Sequence, residues 1–109
     1  MIFTLAEARE LLPLVRDVTD DAARQAAALI GALDDLGEDD PQRGALSAEL
    51  KTIVDDWAAR IRGMGLEAKG LWLVDFDNGD GYYCWQHPEA TLSHYHGYED
   101  GFAGRMKIL

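Results

Sequence analysis

The chain has 109 residues, enough for one domain that buries a core without staples. Its 10 basic and 20 acidic residues leave a net charge of −10, and both halves are acidic, so no Lys/Arg stripe is available for phosphates or an anionic membrane surface. One cysteine cannot form an internal disulfide, and the N-terminal MIFTLAEARE lacks the basic and apolar regions of a leader; a cytoplasmic protein that binds neither nucleic acid nor membrane is expected.

Thr4 and Glu7 have the spacing of a capping box, with Glu7 also placed where a helix dipole favours an anion. From there Leu11, Val15, Val18, Ala22, Ala26, Leu29, Leu33 and Leu36 recur at steps of three or four, a helical stripe. Pro13 interrupts it, so a kink or a restart near Leu12 is predicted. Residues 37–41 form a turn in which Asp40 can cap a second helix with Pro41 at its first position. Leu46, Leu50, Ile53, Trp57, Ile61 and Met64 share one face of that helix, and Gly63 or Gly65 can end it in the left-handed conformation. A short connection between two such helices predicts an antiparallel hairpin over 1–65. Its alanine-rich seam buries little area per residue, so the hairpin is expected to lean on the rest of the chain and on a second copy, as a homodimer.

After Gly65 the period changes. Leu71–Phe76 is β-prone, Asp77–Gly81 is dense turn chemistry, Tyr82–Gln86 is a second strand and Thr91–His96 a third. The tail from Gly97 is glycine-rich and ends in a short segment, Met106–Leu109, that could pair at an edge. The fold class is therefore α+β: a long antiparallel two-helix hairpin packed on a small three-stranded antiparallel sheet (66–109) with a Gly-rich C-terminal tail.

Chemistry concentrates in residues 71–105, which hold the cysteine, all three histidines and eight of the ten aromatics. His94 and His96 lie two apart on a strand and so face one way; with Cys84 or Asp75 as a third donor they could hold a divalent metal such as Zn. A pair of half-exposed histidines on a polar face is the commoner outcome for this spacing. Cys84 could serve as a nucleophile with His96 as base, though a mid-strand thiol between Tyr83 and Trp85 is more often buried and inert. Residues 75–86 superficially match a calcium loop, but Gln86 stands where the bidentate glutamate belongs. Arg105 could clamp a carboxylate or phosphate, or pair internally with Asp75 or Glu99.

The segments FTLAEARELLP (Phe3–Pro13), VDF (Val74–Phe76), CW (Cys84–Trp85), YH (Tyr95–His96) and GFAGR (Gly101–Arg105) resemble, in order and spacing, the DUF2203 family of small prokaryotic proteins of unknown function. In two places the chain departs from that pattern. The family's Gly-Leu-Val-Asp-Phe appears as Gly70–Phe76 with residues inserted, and its Trp-His-Glu appears as Tyr95-His96-Gly97, so any role of that glutamate is lost or passes to Glu99. The resemblance implies a shared surface and supplies no activity.

The functional expectation is a cytosolic binding or assembly module that uses a surface formed by Asp75, Cys84, Trp85, His96, Glu99 and Arg105. Its alternative is a metal-binding protein or metal-dependent enzyme centred on His94 and His96. Asp75, His96 and Arg105 are expected to gather at one edge of the sheet.

Overall fold

In the computed structural model, which describes residues 1–109, the capping box at the N-terminus is complete. The Glu7 amide donates to Thr4 Oγ1 at 3.1 Å and the Thr4 amide donates back to Glu7 Oε1 at 2.9 Å. Helix α1 then runs from Leu5 to Asp34 without the restart that Pro13 predicts. Pro13 and Arg9 are both exposed, so the Arg9 carbonyl that loses its usual amide partner faces water. On the opposite side Ala8, Leu12 and Val15 are buried together, which holds the turns before and after Pro13 on one face.

Helix α2 spans Gln42–Gly63. It starts one residue later than the sequence suggests, with Pro41 as its N-cap residue, yet Asp40 still does capping work: its Oδ1 accepts the Gln42 amide at 2.8 Å. At the far end Gly65 adopts a φ of +83°, the Leu66 amide donates to the Ile61 carbonyl, and the Gly65 amide donates to Arg62, which is a Schellman closure. Ile61 and Leu66, brought together by it, both enter the core. Across the hairpin the buried Trp57 indole donates to Thr19 Oγ1 at 2.8 Å, so two polar groups at the seam satisfy each other.

The sheet has five strands, not three: β1 (Glu67–Gly70), β2 (Leu73–Asp77), β3 (Gly81–Gln86), β4 (His94–Gly97) and β5 (Met106–Lys107), in sequential antiparallel order. The added β1 was hidden because Glu67-Ala68-Lys69-Gly70 carries no β-branched or aromatic residue; it follows directly from the Gly65 reversal and pairs with β2. Its hairpin turns at Leu71-Trp72, with Trp72 at a φ of +58°. A bulky side chain in the left-handed region is strained; here the Trp72 ring packs edge-on against Trp57, centroids 4.9 Å apart. The β2–β3 turn is a hairpin closure rather than an ion loop, since Asn78 Oδ1 accepts the amides of Asp80 and Gly81 and Asp77 Oδ1 accepts that of Gly79.

Alternation then sorts the sheet. Val74, Phe76 and Trp85 face α1 and join Phe3, Leu12, Val15, Ile61 and Leu92 in the core. Asp75, Cys84 and His96 are also buried, but on the opposite face. The tail crosses that face, with a short 3-10 turn at Phe102–Gly104 before β5.

Candidate functional site

Three strands supply one donor each. Asp75 on β2 is directly opposite Cys84 on β3, and His96 sits one row along on β4, opposite Tyr82. Same-face projection lets the Asp75 and His96 side chains meet across β3, with His96 Nε2 at 3.0 Å from Asp75 Oδ2. Cys84 completes the group: its sulfur, a ring nitrogen of His96 and a carboxylate oxygen of Asp75 all lie within 4.8 Å of one another. All three residues are buried, with exposures of 1% for Asp75, 0% for Cys84 and 3% for His96.

The hydrogen bonds fix where protons sit. His96 Nδ1 lies 2.8 Å from the Gly97 carbonyl, which only accepts, so Nδ1 carries a proton and donates it. One further proton is shared between Nε2 and Asp75 Oδ2. Asp75 Oδ1 is buried and no donor meets it with hydrogen-bond geometry, although the adjacent Cys84 thiol bears on the same carboxyl group. Burial raises the Asp75 carboxyl above its ordinary value, against the opposing pull of His96, Cys84 and Lys69. Burial, reinforced by the adjacent Asp75 carboxylate, pushes the Cys84 thiol up to about 12, so it is no free thiolate nucleophile at neutral pH.

Other residues expected at this surface are placed differently. Trp85 points to the helical side, is fully buried, and donates its indole N–H to the Glu89 carbonyl at 2.8 Å. Neighbours on a strand face opposite ways, so Cys84 and Trp85 cannot serve one site. Glu99 is exposed, apart from the cluster. His94 shares the face of Cys84 but stands outside the three-residue cluster; its Nδ1 is 3.7 Å from Glu89 Oε2 and makes no hydrogen bond. Arg105 pairs with neither Asp75 nor Glu99. Its two terminal nitrogens donate to the two Glu89 oxygens at 3.0 and 2.7 Å, and from there it also bears on the Cys84 thiol.

Glu89 was missed by reasoning from sequence. It lies in the turn after the His87–Pro88 bond, where a glutamate looks like ordinary loop polarity; the signal available was its turn position just past β3, where it accepts the Gln86 amide at 2.7 Å. The cavity beside the cluster was also beyond reach. It measures about 260 Å³, and Asp75 and His96 line it together with Lys69, Leu73, Tyr82, Tyr98, Gly101 and Phe102.

The profile described as "Uncharacterized conserved protein (DUF2203)" matches residues 1–108. No curated protein and no solved structure matches the chain. No helix is long and apolar enough to cross a membrane.

Proposed function

Because the chain belongs to the DUF2203 family, a membership that brings no activity with it, we propose a function from the site itself: a binding module for a divalent transition metal, held by Asp75, Cys84 and His96. The observation that carries this reading is the buried carboxylate oxygen, Asp75 Oδ1, left without a partner beside a thiol and an imidazole nitrogen. A buried carboxylate oxygen without a hydrogen-bond partner costs about 1–3 kcal/mol, and a cation relieves it. The donor set of carboxylate, thiol and imidazole suits zinc or cobalt rather than calcium or magnesium. His96 is already oriented for the role: its Nδ1–H is tied to the Gly97 carbonyl, which leaves Nε2 to face the other two donors. Metal uptake would release the proton that Nε2 shares with Asp75 and the one on Cys84.

This reading keeps the expected binding module on the C-terminal half and moves its metal from the His94/His96 pair to Asp75, Cys84 and His96. The test is metal content and titration of the purified full chain with Zn²⁺ and Co²⁺. The expected result is one ion per chain, a melting temperature raised by Zn²⁺ and lowered by a chelator. Cys84→Ser and His96→Gln should each abolish tight uptake, whereas His94→Gln should leave it intact. Loss of uptake in His94→Gln with retention in Cys84→Ser would restore the two-histidine site.

A further inference from the structure

The metal reading above leaves a coordination position unused, and a cavity stands beside it. The donor cluster has three members and no fourth His, Cys, Asp or Glu. Asp75 and His96 form part of the cavity wall, while the fully buried Cys84 is not part of its lining. An ion held by these three side chains therefore has protein on the Cys84 side and space on the other, the arrangement of zinc sites that admit an exogenous ligand rather than of closed structural ones.

We infer that this position binds a small monoanionic oxygen-donor ligand carrying an aromatic or apolar body, the class of aromatic carboxylates and hydroxamates. The inference rests on the metal assignment and extends it to a second component. Charge sets the donor. The Asp75 carboxylate and the Cys84 thiolate neutralise a divalent ion, so the site itself does not repel a monoanion. Lys69 is the cation in the cavity lining; its ammonium lies 4.8 Å from the Tyr82 ring centroid and 3.2 Å from Glu67 Oε1, a partly exposed pair on a flexible stem. Shape sets the body of the ligand. Tyr82 and Tyr98 meet edge-on with centroids 5.1 Å apart, and Phe102, 44% exposed, adds a third aromatic surface. Aromatic rings around a cavity with two polar floor groups, here the buried Tyr82 and the exposed Tyr98 and Phe102, are where an apolar ligand body packs. At about 260 Å³ the space is below the range for drug-sized ligands, which confines the ligand to a single small ring or a short chain.

The experiment uses the full chain loaded with Co²⁺, whose visible spectrum reports its coordination, and two probes, benzohydroxamate and acetohydroxamate. Both should shift the Co²⁺ bands, with benzohydroxamate at least tenfold tighter because its ring meets the aromatic wall. Phe102→Ala should cut that preference to less than threefold while Co²⁺ affinity stays within about twofold of the parent. If Co²⁺ binds with a thiolate charge-transfer band but neither probe moves the spectrum, the metal reading stands and the ligand position is refuted. Equal affinities for the two probes would also overturn the aromatic-body assignment. If Co²⁺ produces no thiolate band at all, both readings fall.

Discussion

Arg105 and Glu89, 16 residues apart in the chain, are joined by two parallel hydrogen bonds of 3.0 and 2.7 Å, and this fork fastens the C-terminal tail across the sheet face that carries Cys84. The same carboxylate accepts the Gln86 amide, so one side chain ties the end of β3, the following turn and the tail together. Phe102 stacks on the guanidinium, its ring centroid 4.3 Å away, which extends the clamp to the cavity wall.

Arg105→Lys keeps the charge but cannot reproduce the planar fork. The pair is partly exposed, so its loss should cost only about 1 kcal/mol of global stability. The larger effect is expected locally, as faster hydrogen exchange at the amides of residues 97–107 with little change in α1. Uniform acceleration throughout the chain would mean that the clamp is not confined to the tail.

Burial works against the Glu89 charge, but Arg105, the Gln86 amide and His94 outweigh it, and the carboxyl is held below its ordinary value of 4.5. A depressed carboxylate contributes stability that is fully present above its unfolded value and is lost as pH falls through its folded one. The tail should therefore stay docked at neutral and mildly acidic pH and release only below about 4.5, whereas Glu89→Gln, which has no titrating group there, should show no such step. Fluorescence of a probe placed on the tail, followed from pH 7 to 3, reads this directly; a release midpoint above 5 would contradict it.

In the metal-stripped protein, Asp75→Ala leaves His96 Nε2 buried with no partner, and should cost about 3 kcal/mol. Asp75→Asn can still donate its amide to Nε2, so about 1 kcal/mol is expected. Urea unfolding with a chelator present compares the two. Equal losses would show that the proton shared between Asp75 and His96 contributes nothing to the fold.

Thr4→Ala removes the acceptor for the Glu7 amide and should cost about 1 kcal/mol. Trp57→Ala removes a ring packed against Trp72 and the donor for the buried Thr19 hydroxyl, and should cost roughly 3–5 kcal/mol. Thermal melts that show similar small shifts for both would mean that the indole is not a core element.

Beyond the sheet the hairpin is on its own: the molecule extends 49 Å against 24 and 21 Å in the other directions, and Leu29, Leu33, Leu46 and Leu50 are only half-buried. This distal seam is where a second copy is expected to pack, as a dimer. Light scattering should give twice the chain mass at about 100 μM, and association should strengthen with salt because each chain carries a net charge of −10. A monomer at that concentration rules it out.

Local chemistry was sufficient for much of this molecule. Thr4 and Glu7 define the first helix start, the Gly63/Gly65 pair brackets the second helix end, which falls to Gly65, and Asn78-Gly79 marks the β2–β3 turn, because each acts within four residues of itself. Period alone placed Trp57 and Ile61 inside, whereas Cys84 and Trp85, expected on one surface, lie on opposite faces of β3 because neighbours on a strand alternate. What the sequence could not decide were the relations between segments. Edge strand β1 exists because β2 offers it hydrogen bonds, in spite of its own weak propensity. Pro13 sits inside a continuous helix because burial on one face and water on the other outweigh a lost hydrogen bond, a balance that no local rule contains. Arg105 chose Glu89 over Asp75 and Glu99 because the tail crosses the sheet along one path among several that its glycines allow. The Asp75–Cys84–His96 cluster depends on strand register, where a slip of one residue would turn all three side chains to the other face; from sequence the metal site was centred on His94 and His96 with Cys84 or Asp75 as a third donor, and only the pairing of β2, β3 and β4 brought Asp75, Cys84 and His96 within reach of one another.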